Sequence, residues 1–458
     1  MSKNIKNNNE KMVRSCLEAV LDNMDDYKDM FVKNPGKDFT RNRKLSFKET
    51  IKLMLSMKGN TLNKELYEYF GKNPEEIMTT SAFVQQRNKL KEGTFEYLFE
   101  SFNETMSGTK AYKGYKVYAV DGSDINIAYN PESDTYINPA IKVKQDGTEG
   151  RGHNLFHLNA IYDIMNKVYV KANVQPKQKA DERRAFLDMV KEMTFEENTV
   201  FVADRGYPSW NLFATFNEIP NADYLVRVPN EFNNFIKELP MKELDIVRDI
   251  VITTSQKEAR KGYSSQGRSY VFLQQKKNKM KNRDYYGTTR NSNWDFGDRY
   301  EMQIRILRFK ISDDTYETII TSLPRFRFSL ENIKDLYGMR WGIETSFREL
   351  KYISGLLNLH SRKEEYVLQE IYARLTMYNF CERVLNNVVV EQDAGRKYEY
   401  QVNFTMGFQI CMDFFRGLVD VDNLYELILK YIVAIRPGRS DKRKLKPKTF
   451  VGFLYRVA

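Results

Sequence analysis

Up to about residue 110, apolar positions recur every three or four residues, the period of helices with one buried face. Lys11 to Lys33 is amphipathic in this sense. Ser46-Phe47-Lys48-Glu49 sets a hydroxyl three residues before a carboxylate, which predicts a capping box opening a helix through Met57. Leu62 to Phe70 predicts a helix that ends before Gly71 and Pro74, Ser81 starts another, and Thr94 a further one. Two short helices about a Gly/Pro turn suit a helix-turn-helix. Its second helix carries Gln85, Gln86, Arg87, Asn88 and Lys89, types able to read base edges or phosphates. A solvated helix face explains the same residues equally well.

From Lys116 the period shortens to two. KVYAVDGSDINIAY reads as a strand-rich run bearing Asp121, and His153 to Ile164 and Lys167 to Val174 as two strands turning at Asn166. A helix (180–193), a short buried-type strand (199–203) ending at Asp204, a helix (209–217) and a strand (224–228) complete a mixed α/β order. DIVRDIVITTS, YVFLQQ, RYEMQIRILRFKI and TYETIITSL break that order with further period-two runs. Helices follow at 337–351, 364–390, 405–419 and 423–435. The expected organisation is a helical domain (1–110), the first part of an α/β core (111–229), a β-rich insertion (230–325), a core segment with one helix (326–360), and C-terminal helices with a basic tail (361–458).

One helix carries unusual chemistry. Tyr337, Arg340, Glu344 and Lys351 follow the spacing Y-x2-R-x3-E-x6-K. On a continuous helix they fall in one stripe roughly 60° wide. Leu336, Ile343, Phe347 and Leu350 form an apolar stripe beside them. The helix can therefore pack on a core while presenting a carboxylate flanked by phosphate-binding groups. Asp121 in one strand and Asp204 at the end of another supply two more acids at strand termini, where sites form in open sheets. Three converging carboxylates repel without a cation. A hard oxygen site suits Mg²⁺ or Mn²⁺, and two such ions can activate an attacking oxygen and stabilise a leaving one. Each acid also has a plain structural explanation. Asp121 lies in an Asp-Gly turn sequence with Asp124 as a rival, Asp204 can cap a helix or pair with Arg205, and Glu344 can pair with Arg348.

Composition narrows the field. At 458 residues with 41% hydrophobic content, the chain is globular and large enough for several domains. Lys and Arg outnumber Asp and Glu, 72 to 61, an excess compatible with a polyanionic partner. Three scattered cysteines and three histidines predict no disulfide framework and no structural zinc, in keeping with a reducing cytoplasm. MSKNIKNNNEK has no apolar core of a signal peptide, and no run reaches the ~20 apolar residues of a membrane span. His153 and His157 read as core residues or as support for a site. Basic residues from Lys276 to Arg283 suit either a DNA backbone or solvent.

These motifs resemble the IS4 family of bacterial insertion-sequence transposases, DDE enzymes with a ribonuclease-H-like core. LYGMRWGIETSFRELK matches the family signature completely, and VYAVDGSD, FVADRGYPSWNLF and ITSLP resemble its other blocks, over about residues 45 to 450. The resemblance implies that Asp121, Asp204 and Glu344 bind two Mg²⁺ or Mn²⁺ ions. It implies that Tyr337, Arg340 and Lys351 hold phosphates near the transposon end. The 140 residues between Asp204 and Glu344 resemble members with a β-rich insertion, some of which stack a flipped base on a tryptophan there. Trp294 is the candidate, whereas Trp210 and Trp341 read as packed aromatics. The N-terminal helices would read terminal inverted repeats through Gln85, Arg87 and Lys89. The implied activity is cut-and-paste cleavage and strand transfer on double-stranded DNA, by a homodimer in a synaptic complex at the bacterial nucleoid. Alternatives are a ribonuclease-H-like nuclease without strand transfer and an inactive or domesticated DNA-binding protein. A carboxylate-pair glycosidase is more distant, since it leaves Arg340 and Lys351 unexplained.

Overall fold

The computed structural model describes residues 3–436 except 42, 72–73, 139–151, 263–266, 274–293, 313–314 and 394. The basic stretch from Lys276 and the tail beyond residue 436 lie outside the described residues. The N-terminal helices are α1 (Lys3–Asp26), α2 (Phe47–Ser56), α3 (Leu62–Tyr69), α4 (Thr80–Arg87) and α5 (Thr94–Glu104). Next come β1 (Lys116–Ile127), β2 (Tyr136–Ile137), β3 (His153–Asp163), β4 (Val168–Pro176), α6 (Glu182–Lys191), β5 (Thr199–Ala203), α7 (Trp210–Glu218) and β6 (Ala222–Val228). The following region holds α8 (Asn234–Lys237), β7 (Leu244–Thr253), α9 (Gln256–Ala259), β8 (Ser269–Phe272), β9 (Arg299–Ser312) and β10 (Thr315–Thr321). The chain continues through α10 (Leu330–Met339), α11 (Trp341–Tyr352), α12 (Glu364–Leu385), β11 (Tyr400–Val402), α13 (Phe404–Phe415), α14 (Val421–Lys430) and β12 (Ile432–Ala434).

One ten-stranded mixed sheet organises these elements in the order β2-β3-β1-β5-β6-β10-β9-β7-β8, with β4 also on β3. β3 is antiparallel to both β1 and β4, while β5 and β6 run parallel to β1. The strands between 230 and 325 add to this same sheet, because β10 pairs with β6 and β9 with β10. Two buried arginines on β9 anchor them. Arg305 bonds Asp245, and Arg308 donates to the carbonyls of Ile236 and Leu239 at the end of α8.

Strand alternation feeds cores on both faces. Val117, Ala119, Val200 and Val202 point to the face covered by α10, α11 and α12, while Tyr118, Val120, Phe201 and Ala203 point to α6 and α7. The N-terminal helices share the largest apolar cluster with α11 to α14, so α5 and α12 pack directly. Ser46 caps α2 through the Glu49 N–H (3.2 Å), but the reciprocal half of the expected capping box is replaced, because Glu49 accepts the Tyr69 hydroxyl. No helix among the described residues is long and apolar enough to cross a membrane. Cys16, Cys381 and Cys411 are free thiols.

Candidate active site

The pleat that sorts Val117 and Ala119 to one face sends Asp121 to that face too, and Val200 and Val202 do the same for Asp204. Parallel pairing sets Val120 opposite Ala203, which makes the two acids neighbours at the end of the β1–β5 ladder. α11 packs on β1 from that side, with Gly342 close to Ile164 and Tyr162. Glu344 therefore arrives over the two aspartates.

Local bonds aim each acid. The Gly122 N–H donates to Asp121 Oδ1 (2.9 Å), and the Gly206 N–H to Asp204 Oδ1 (2.7 Å). Asp204 does not cap α7, since Ser209 does so through the Leu212 N–H. Glu344 pairs with Arg340 (2.8 Å), one turn back, not with Arg348. Burial pushes the Asp121 carboxyl up to about 6, the Gly122 bond opposes this, and the charges of Asp204 and Glu344 add to the rise. Arg340 counters them.

The expected single helix is two. Arg340 sits between α10 and α11, where its N–H bonds the Tyr337 carbonyl and its own carbonyl takes the Ile343 N–H, both spanning three residues. That tightened turn is 3₁₀-like. Tyr337 consequently belongs to α10 and is 7% exposed among Leu336 and Ile333. Arg340 is 6% exposed, with its guanidinium 5.0 Å from the Trp341 ring and 5.8 Å from that of Tyr337. Among the described residues its Nε has no hydrogen-bond partner. Lys351 lies farther along α11, where burial lowers its pKa and the charge of Asp124 opposes this.

A second polar network borders the acids. Asp124 Oδ1 lies 2.6 Å from His157 Nδ1 and 3.0 Å from Lys177 Nζ. Burial would raise Asp124, but His157 and Lys177 override it and hold the carboxyl at about 2. His157 Nε2 is 3.1 Å from Glu182 Oε1. A Cβ on Gly122 would sit 2.4 Å from His157 Nε2, so this position must be glycine for the ring to fit. Asp124 is thus committed to His157 and Lys177. Lys177 and Glu182 carried no sequence signal, because their role comes only from the β1–β3 pairing and the start of α6.

Other candidates lie away from the acids. Arg87, expected to face DNA, is 2% exposed. It bonds Gln369 (2.9 Å), Glu370 (2.8 Å) and the Tyr366 carbonyl of α12. A buried guanidinium with three acceptors is unavailable to DNA, and the expectation for Arg87 is corrected. On α4, Gln85 remains exposed, and Lys89 bonds Gln86 (2.6 Å). Trp294 is partly buried against Phe296 and Tyr300, with its indole N–H donating to the Gly297 carbonyl (2.9 Å).

Among the described residues no three His, Cys, Asp or Glu side chains converge closely enough to hold an ion. The carboxylates fit a hard divalent cation in kind, and the raised Asp121 is the state that a cation would reverse. Glu344 is meanwhile turned onto Arg340.

No curated protein matches the chain. Among solved structures it is similar to a piggyBac transposase synaptic complex with hairpin DNA, determined by cryo-EM. That likeness has a TM-score of 0.42 and 9% identity over 89% of this chain and 82% of the other. A family model described as the transposase DDE domain matches residues 112–380, which span β1, β5 and α11 with all three acids. The chain belongs to the transposase DDE domain family.

Proposed function

We propose that this chain is the transposase of an IS4-type insertion sequence, cutting and rejoining double-stranded DNA at the element's terminal inverted repeats. The carrying observation is the placement of Asp121 and Asp204 side by side on parallel strands, with Glu344 brought over them by α11. The antiparallel β4-β3-β1 followed by parallel β5 and β6 supports a ribonuclease-H-like core, extended by the strands of 230–325. Asp121, Asp204 and Glu344 would hold two Mg²⁺ or Mn²⁺ ions, which supply a Lewis acid for an attacking oxygen and a leaving oxygen.

The chain's own groups do the rest. Arg340, freed when Glu344 turns to the aspartates, offers a planar fork to a phosphate. Lys351 adds a point charge farther along α11, and Tyr337 backs Arg340 from below. Asp124, His157 and Lys177 brace β1 against β3 behind Asp121. Gln85 on α4 and Lys89 just after it are the side chains left to meet the terminal repeats, and a homodimer would synapse two ends.

The test is a labelled duplex bearing the element's end and flank, incubated with the protein with and without Mg²⁺, beside Glu344→Ala. Metal-dependent nicking at the end boundary, absent in the variant, is expected. Nicking that survives in Glu344→Ala overturns the triad, and specific binding with no cut in Mg²⁺ or Mn²⁺ favours an inactive DNA-binding protein.

A further inference from the structure

The other flank of α11 opens on a cleft of about 1000 Å³ between α11, α12, the β3–β4 turn and the start of α13. That is at the upper end of the ~300–1,000 Å³ of small-molecule sites. Glu382 of α12 lines it and is 4% exposed. One carboxyl oxygen of Glu382 takes only a long bond from the Tyr378 hydroxyl (3.4 Å), which gives its shorter bond to Glu349 (3.0 Å). The other oxygen has no protein partner among the described residues. At the entrance stand Lys167 and Arg348, both exposed and both without an ion pair among the described residues. Phe404 and Tyr352 supply aromatic wall.

We infer that this cleft binds a nucleoside monophosphate, its phosphate on Lys167 and Arg348 and its base edge on Glu382 and Glu349. The charge pattern selects that ligand. A metal cation is repelled by the two entrance cations. A bare anion leaves the buried carboxyls unmatched. A planar, nitrogen-rich ring joined to a phosphate satisfies both ends, and the aromatic wall accepts its face. Burial pushes Glu382 up to about 8, Lys167 opposes and Glu349 adds, so near neutral pH its carboxyl both donates and accepts along a base edge. Arg348 follows Glu344 by one helical turn, about 6 Å along the axis, so the occupant touches the helix that carries the acid. The same nucleotide can come free in solution or as an unpaired residue of a DNA strand. The inference does not need the transposase reading.

Calorimetric titration of the full chain, without metal or DNA, decides it. The four deoxynucleoside 5′-monophosphates are compared with inorganic phosphate and the phosphate-free nucleosides. At least one monophosphate should bind with a dissociation constant below about 1 mM, and tenfold or more tighter than either fragment. Lys167→Ala/Arg348→Ala should abolish the advantage over the nucleoside. Glu382→Gln should change the preference among bases, and if it fails to fold the entrance variant carries the test. No binding in this range, equal binding of phosphate alone, or an entrance variant indistinguishable from wild type overturns the site. Displacement of bound monophosphate by a duplex with a one-nucleotide overhang, but not by a blunt duplex, assigns the strand as source. Lack of displacement by both assigns the free nucleotide. Metal-dependent nicking is scored separately, so the two readings fail independently.

Discussion

Two arginines on helices make ion pairs of the same length and opposite character. Arg87–Glu370 and Arg340–Glu344 are both 2.8 Å. Arg87 spends its fork on Gln369, Glu370 and a carbonyl, and Glu370 also takes the His360 N–H and ring, so the pair is closed on every side. Arg340 keeps an unbonded Nε, and its partner is about two-fifths exposed at the edge of an acid cluster. The first arrangement locks α4 to α12. The second can exchange partners, as expected where a carboxylate has another task. An arginine's function is thus read from how many of its donors are already used.

The sharpest break of the comparison is Glu344→Ala, expected to remove detectable cleavage while end binding in a gel-shift assay persists. Arg87→Ala should leave the acid site chemically intact but cost about 3–5 kcal/mol of stability in urea denaturation, because it strands a buried carboxylate. The pH dependence has a definite sign. Burial would raise Glu370, but Arg87 and His360 hold its carboxyl well below the usual range. Its stabilisation is present above the ordinary carboxylate range and is lost as pH falls through it toward the lowered value. Glu370→Gln should flatten that acid-side decline. Arg340→Ala should slow cleavage about ten- to a hundredfold, the worth of a charge-assisted bond to phosphate, with stability less affected than in Arg87→Ala. Lys351→Ala should slow single-turnover cleavage less than Arg340→Ala, since a point charge replaces a fork. Gln85→Ala is the smallest, weakening binding to the specific end by about 1 kcal/mol with little change on unrelated DNA.

The face shared by the two aspartates was legible because its signals are local. Asp121 and Asp204 each close an apolar run, and the alternation of Val117, Ala119 and Asp121 already names the face they share. The apolar stripe of Leu336, Ile343, Phe347 and Leu350 is buried as its spacing predicts. Hidden features depend on pairing between distant segments. The break at Arg340 is invisible to a 3.6-residue period, since the residues on either side are helical. The polar run Gln85 to Lys89 has the composition of a DNA-reading surface, yet only α12, almost 300 residues away, reveals that Arg87 faces inward. Likewise, period two announced β7, β9 and β10 but not their place in the main sheet.

The wide spacing of the acids has a consequence for synthesis. Asp121 and Asp204 emerge from the ribosome long before Glu344, and α11 packs on both β1 and α12. α12 in turn is held by the first helices made, through Arg87 and Glu370. A nascent chain therefore carries no complete acid set until it has passed residue 344, and no finished seat for α11 until it has passed residue 385, the end of α12. A product truncated before α11 would lack Glu344, and the acid set is completed late in translation.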